Sequence, residues 1–406
     1  MNSMRRYIGL LCIALFCYLS VLPVQLGAVR FTPSEISGVN RSIVSQSLTP
    51  YIHEGQFPEW LALDTGTRVH EARLTYTIDP ELNEFLDKIY DRYKPDYGAF
   101  VALDASTGAV IAMKSFTKEN ESWGNLALRN SYPAASVFKL ITAAASLDQD
   151  LLTPASVLRY NGKKTSLYKS QVLRHKDNKW TRRPTLKAAF AESINPVFAR
   201  IGVYMLGANQ LESYAQRFGF NTEVDTDLEF ETGLTEILED EWRIAESASG
   251  YTRTNTLSPL HGAMLAGAIA NEGRIMVPYI VEHATDGWGV PLYLEQPAVL
   301  SEPVTAETAA ELRQLMRETV RRGSARKSFK KFFKGNFEDL DVGGKTGSLT
   351  GRIPAGKCDW FVGYAIHGDK KISYASLTIN KEYWTVKAHY VARKFIETAF
   401  ANIGAG

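Results

Sequence analysis

The sequence predicts a mixed α+β fold in which one antiparallel sheet is assembled from both ends of the compact region and flanked by helices. Strand-like runs at 98–103 and 109–113 are joined by Asp104-Ala105-Ser106-Thr107-Gly108, a hairpin signal. Three more strand-like runs, 342–349, 359–366 and 372–379, fall in the last third of the chain, with a hairpin-like link at 367–371 between the last two. Between the two groups the apolar spacing is helical, and an amphipathic helix at 387–400 closes the chain. Strands at both ends with helices between them fit a single sheet covered by helices.

In chain order, Arg5-Arg6 precede an uncharged apolar run from Tyr7 to Val24, a basic-then-apolar order that fits a cytoplasmic N-terminus. The run is close to the ~20 residues that span a bilayer. Residues 1–28 are therefore expected to be a membrane anchor, with a cleaved signal peptide as the alternative. Residues 29–73 are polar and broken by Pro33, Gly38, Pro50, Gly55, Pro58 and Gly66, and read as a linker with a short capping piece. The compact fold, 74–406, is expected to begin at Leu74. Asp79-Pro80 forms an N-cap and first-turn proline ahead of Leu82, Phe85, Leu86, Ile89, Tyr90 and Tyr93 at helical spacing.

Helical patterns cover about 140–220, with a polar, basic interruption at 161–183, then 256–272 and 305–322. Residues 222–241 hold nine acids and no Lys or Arg, which reads as a solvated loop or helix face. The stretch from Arg321 to Lys334 is basic and reads as an exposed loop; contact with anionic lipid or polymer is the sharper reading.

The 406 residues have ordinary globular composition and a net charge of +2, which gives no reason to invoke nucleic acid. Of three cysteines, Cys12 and Cys17 lie in the apolar run, leaving Cys358 alone, and the seven histidines lack ligand spacing. No metal and no cofactor are expected.

Three stretches carry the chemistry. Ser136-Val137-Phe138-Lys139 opens the apolar run Leu140-Ile141-Thr142-Ala143-Ala144-Ala145 and reads as a turn feeding a helix. Lys139, three residues on, returns to the face of Ser136. A partly desolvated lysine can lose its proton and take one from a hydroxyl, making a nucleophile without histidine. Ser-x-x-Lys also occurs at Ser115, Ser166, Ser324 and Ser328, and a plain capping serine is the competing reading for Ser136. Ser193-Ile194-Asn195 lies between two helix-like runs; Asn195 before Pro196 could be an N-cap, or the loop could aim a hydroxyl and an amide into a cleft. Gly343-Gly344-Lys345-Thr346-Gly347-Ser348 reads as strand. A phosphate loop would need glycine where Asp339 stands. Glycines on a strand let a substrate backbone lie close. Lys345 supplies charge, and Thr346 and Ser348 supply hydroxyls for a carboxylate.

Taken together, Ser136-x-x-Lys139, Ser193-x-Asn195 and Lys345-Thr346-Gly347 resemble the three motifs of the penicillin-binding protein and serine β-lactamase superfamily. The flanks agree at 104–113, Asn271-Glu272-Gly273 and 359–364, and the resemblance covers about 74–400. It implies an α/β/α sandwich with an all-helical lobe and a cleft between them. It also implies roles. Ser136 would attack a D-Ala-D-Ala peptide or a β-lactam, Lys139 would be the base, and Ser193 would relay a proton. Asn195 would bond the bound peptide, and Lys345 would tune the site. Thr346, Gly347 and Ser348 would line it, the two hydroxyls on the terminal carboxylate. The N–H groups of Ser136 and Ser348 would form the oxyanion hole. Ile194 and Asn195 depart from the class A and class D β-lactamase patterns, which favours a penicillin-binding protein.

The expectation is a D,D-transpeptidase held at the inner membrane, facing the periplasm, or released there if the segment is cleaved. Its partners would be peptidoglycan stem peptides, β-lactam antibiotics and other cell-wall synthesis proteins. A D,D-carboxypeptidase or slow β-lactamase, and a β-lactam-binding sensor without turnover, are the alternatives.

Overall fold

The computed structural model describes residues 32–119, 123–174, 176–334 and 337–401. The expected N-terminal anchor lies outside them. Among the described residues no helix is long and apolar enough to cross a membrane.

The principal sheet has five strands in the order β11-β12-β13-β3-β4. These are β3 (Tyr97–Asp104), β4 (Val110–Thr117), β11 (Asp341–Arg352), β12 (Ala355–His367) and β13 (Lys370–Asn380). All neighbours are antiparallel, and β13 pairs with β3 in a register that sets Ile372 opposite Asp104 and Ile379 opposite Tyr97. The two ends of the chain thus meet in mid-sheet, as the strand pattern predicts. β12 and β13 are buried almost throughout, so apolar side chains leave both faces.

Helices cover both faces. α10 (Pro259–Ala270), buried along its whole length, packs on β3, β12 and β13. On the other face α3 (Pro80–Tyr93) and α13 (Ala388–Ala399) close a second core around Phe100, Phe361, Tyr374 and Phe395. Asp79 caps α3 through its carboxylate, with Pro80 in the first turn, as read. The helical lobe comprises α4 (Lys139–Asp148), α6 (Leu186–Ala191), α7 (Asn195–Ile201), α8 (Gly207–Arg217) and α9 (Glu241–Ser249). α11 (Ala306–Arg321) packs on α4, α6 and β11, joining lobe to sheet.

Residues 33–73 are not a linker. They form α1 (Pro33–Ser37), α2 (Arg41–His53), β1 (Trp60–Asp64) and most of β2 (Val69–Tyr76), so Leu74 lies inside a strand rather than at a boundary. β1 and β2 join β8 (Val281–Thr285) and β9 (Pro291–Leu294) in a four-stranded sheet. The segment is amphipathic: α2 buries Val44, Leu48 and Ile52, and β1 and β2 bury alternate residues against the first core. Arg41 fastens it, donating to both oxygens of Glu295 and to Asp225 O at 3.0 Å.

The acidic loop is also less solvated than its composition suggests. Asp227 is buried and accepts from Ile280 N at 3.1 Å and Val281 N at 2.7 Å. In the basic stretch, Phe329 and Phe332 anchor a short helix, Arg326–Phe329, while its cations stay exposed.

Removing one partner of a buried ion pair leaves the other desolvated and alone. The Glu295 side chain is 2 % exposed and that of Arg41 22 %. Arg41→Ala is therefore expected to lower the unfolding free energy by ~2–3 kcal/mol in a urea titration, somewhat below the figure for a fully buried pair. A change under ~0.5 kcal/mol would show that the clamp is not structural.

Candidate active site

Ser136 lies in a 3₁₀ turn, Ala135–Phe138, that leads directly into α4. Its hydroxyl makes no capping bond; it accepts from Lys139 Nζ at 2.8 Å. The capping reading is thereby excluded. Lys139 is fully buried. Its Nζ also donates to Asn195 Oδ1 at 2.8 Å and, closely, to the carbonyl of Ser249. The Asn195 amide is oriented by its own donation to Thr165 O at 3.0 Å, which turns Oδ1 toward the lysine. Asn195 therefore does not cap α7, where Ile194 holds the cap position.

Lys345, also fully buried, donates to Ser193 Oγ at 2.9 Å and to Thr346 O at 2.8 Å. Burial drives both ammonium groups toward neutrality. It pushes Lys139 well below its ordinary value, with the nearby charge of Lys345 adding to the effect. Lys345 is pushed down to about 7 by burial. The faces of Phe198 and Phe190 lie 5.7 and 5.4 Å from the two amines.

The geometry of Lys139 has a specific consequence. Asn195 Oδ1 and Ser249 O can only accept. A neutral amine has two hydrogens and one lone pair. If the two hydrogens go to these acceptors, the lone pair is left facing the Ser136 hydroxyl.

β11 is the edge strand of its sheet, so one side of its backbone is unpaired by strand. Arg253 Nε donates to Thr350 O at 2.8 Å, which shows that Thr350 faces this edge. Backbone groups alternate along an antiparallel strand, so Ser348 and Thr346 face it too. Ser348 is exposed, and Thr346 Oγ1 is bonded to Ser324 Oγ at 2.6 Å.

The glycines of this strand also serve packing. A Cβ at Gly343 or Gly344 would lie 2.7 Å from Tyr364 or 2.3 Å from Phe361. At Gly347 it would press on Val137 at 3.2 Å and Ala134 O at 3.4 Å, so this glycine lets the Ser136 turn cross the strand closely.

Two non-glycine residues at the site adopt left-handed backbone: Ala135, φ 49°, and Ser193, φ 56°. Such conformations cost ~1–3 kcal/mol each and persist where surroundings enforce them. Much of that enforcement comes from a place the sequence reading passed over. α9 ends at Gly250, φ 65°, whose missing Cβ would fall 1.9 Å from Ala135 O. The same helix end supplies Ser249 O to Lys139. A glycine just past an amphipathic helix was the available signal, but nothing local tied it to Ser136. Trp360 Nε1, donating to Pro133 O at 3.0 Å, fixes the other side of the turn.

A half-buried serine hydroxyl on a fully buried lysine, where the five-stranded sheet meets the helical lobe, is an arrangement able to support serine acyl transfer. The pattern of the penicillin-binding protein transpeptidase domain matches residues 98–397. The chain belongs to that family.

Among curated relatives, "Peptidoglycan D,D-transpeptidase PbpA" of Mycolicibacterium smegmatis is 28% identical over 315 residues, covering 70% of this chain and 62% of that protein. "Stage V sporulation protein D" of Bacillus subtilis is 24% identical, covering 67% of this chain and 43% of that protein. The chain thus spans less than two thirds of the length of these relatives. The D,D-transpeptidase domain of a peptidoglycan glycosyltransferase from Eggerthella lenta superposes with a TM-score of 0.68 at 25% identity, covering 82% of this chain and 84% of that one. PBPA from Mycobacterium tuberculosis also gives 0.68, at 23% identity and with 81% and 82% covered, a likeness of fold.

Gly250→Ala tests the buttress. The added methyl must displace the Ala135 carbonyl, and a shift of about 1 Å at a nucleophile can slow reaction ~100-fold. Penicillin acylation of Ser136 is expected to slow by about that factor. Wild-type rates in Gly250→Ala would show that the turn holds its shape without α9.

Proposed function

We propose that the protein is a D,D-transpeptidase of peptidoglycan. In this reading Ser136 is acylated by stem peptides ending in D-Ala-D-Ala, and β-lactams block it by acylating the same hydroxyl. The observation that carries the proposal is the placement of Lys139 Nζ, 2.8 Å from Ser136 Oγ and otherwise surrounded by acceptors. The M. tuberculosis PBPA, a fold relative, has been solved as acyl-enzyme complexes with imipenem and penicillin G.

The chemistry follows from the atoms. Neutral Lys139 takes the Ser136 proton as Oγ attacks the carbonyl of the penultimate alanine. The developing oxyanion is met by the N–H groups of Ser136 and Ser348. Charged Lys345, with Thr346 and Ser348, holds the terminal carboxylate. Collapse breaks the peptide bond, and the proton taken up by Lys139 passes through Ser193 to the leaving amine, which leaves Lys139 neutral again. The ester on Ser136 is then attacked by an amine of a second stem, which restores the hydroxyl and forms the cross-link. The basic-then-apolar N-terminal run supports a membrane anchor, with the cleft on the extracytoplasmic side.

Labelling with fluorescent penicillin, followed by D-Ala release with and without an amine acceptor, tests the reading. Wild type is expected to label and Ser136→Ala to label not at all; equal labelling would overturn the assignment. Cross-linked product should form with the acceptor; hydrolysis alone, with acceptor present, would make the protein a carboxypeptidase.

The pH profile of the second-order acylation rate reports the free enzyme. The rate should rise as Lys139 loses its proton, at a pH well below the ordinary lysine range. It should fall as Lys345 loses its own near about 7. A guanidinium stays charged, so Lys345→Arg should move the falling limb upward. A limb that stays in place would remove Lys345 from this role.

A further inference from the structure

Beyond the outer end of β11 lies a cavity of about 560 Å³. It is walled by Pro133, by the loop after α9 with Tyr251 and Arg253, and by Arg352 and Ile353 of the β11–β12 hairpin. Arg243 also lines it but is paired with Glu246 at 3.1 Å. Arg253 and Arg352 have no carboxylate partner among the described residues. Tyr251 and Ile353 expose 44% and 53% of their surfaces. Glu246, which also lines the cavity, is taken up by Arg243, so Arg253 and Arg352 leave the cavity net cationic, with apolar walls.

Its position relative to the reacting atoms is set by the strand. With the terminal carboxylate at Thr346 and the scissile carbonyl at Ser348 N–H, the donor peptide runs along the free edge toward Thr350. Two residues of strand are ~7 Å, so the residue preceding D-Ala-D-Ala arrives beside Thr350. There the edge is no longer available, because Arg253 Nε already occupies Thr350 O. Strand addition by the donor stops at that point, and its next side chain meets the remaining guanidinium nitrogens instead.

We propose that this cavity is a specificity site for a carboxylate on the side chain of the donor residue preceding D-Ala-D-Ala, bound by Arg253 and Arg352. This rests on the transpeptidase reading above. Guanidinium matches carboxylate through paired N–H donors, and the aliphatic part of the side chain lies against Tyr251 and Ile353. A donor side chain without a carboxylate would leave the two guanidinium groups uncompensated, so the site selects for a side-chain carboxylate at this position.

The test uses the full-length protein and two synthetic donors ending in D-Ala-D-Ala. One carries a diamino dicarboxylic acid at the preceding position, and the other the same residue with its side-chain carboxylate converted to a carboxamide. The expected ratio of kcat/KM for D-Ala release is at least about tenfold in favour of the carboxylate. Arg352→Glu should bring the ratio to one or below. Both rates come from one preparation, so the folded fraction cancels. A ratio near one in the wild type, in protein that penicillin still labels at Ser136, overturns the specificity site and leaves acyl transfer standing. Failure of both penicillin and donors to acylate Ser136 overturns the transpeptidase reading and this site with it.

Discussion

The structure depends on placing an amine where water cannot reach it. Lys139 is fully buried, and an isolated ammonium group there would be costly to ionise. The protein does not relieve that cost with a carboxylate. It surrounds Nζ with an amide oxygen, a backbone carbonyl and a hydroxyl, all neutral. A carboxylate would have stabilised the charged form and removed the lone pair. Neutral acceptors instead leave the amine hydrogen-bonded without holding its proton. Lys345, buried beside Ser193, contributes a second cationic centre that further disfavours a charge on Lys139.

The rest of the fold can be understood as what holds those acceptors in place. Ser136 and Lys139 share one turn, so their pairing is local. Asn195 comes from the start of α7, Ser249 from the end of α9 and Lys345 from an edge strand. Each has its own rigid support: Thr165 O for Asn195, the tight α9 contact on Ala135 for Ser249, and aromatic side chains beneath Gly343 and Gly344 for β11. Left-handed Ala135 and Ser193 stand next to these contacts. The strain is located where long-range packing overrides local preference, which is also where the chemistry is proposed.

How far this was legible in the sequence follows from the range of each interaction. The five strands of the principal sheet and the helices over it were readable because their apolar periodicity is strong and mostly two-sided. The Ser136–Lys139 pair was readable because it spans a single turn. The segment before Leu74 was misread because its strands alternate polar and apolar residues between proline and glycine breaks, and their partner, β8, lies some two hundred residues away. Ser249 and Gly250 were missed for the same kind of reason: a backbone carbonyl has no side-chain signature. The packing role of the strand glycines was not legible, since their aromatic neighbours on β12 are visible only once the register is known.

An edge strand is an open template for any extended chain, and a domain that uses such an edge as a binding rail must also limit it. β11 is limited at both ends by different means. At the Thr346 end the backbone carbonyl accepts from Lys345 and the side-chain hydroxyl is hydrogen-bonded to that of Ser324, so the edge is closed by the site's own cation and a neighbouring loop. At the Thr350 end Arg253 occupies the next outward carbonyl. Between these stops only the Ser348 position keeps its outward backbone groups clear of such partners. That interval accommodates one residue of an extended peptide. The edge therefore leaves no room for a long added strand, and on the transpeptidase reading it registers a single peptide bond against Ser136. On the transpeptidase reading a short rail is sufficient, because strand pairing beyond it would add affinity without bringing any further atom to Ser136.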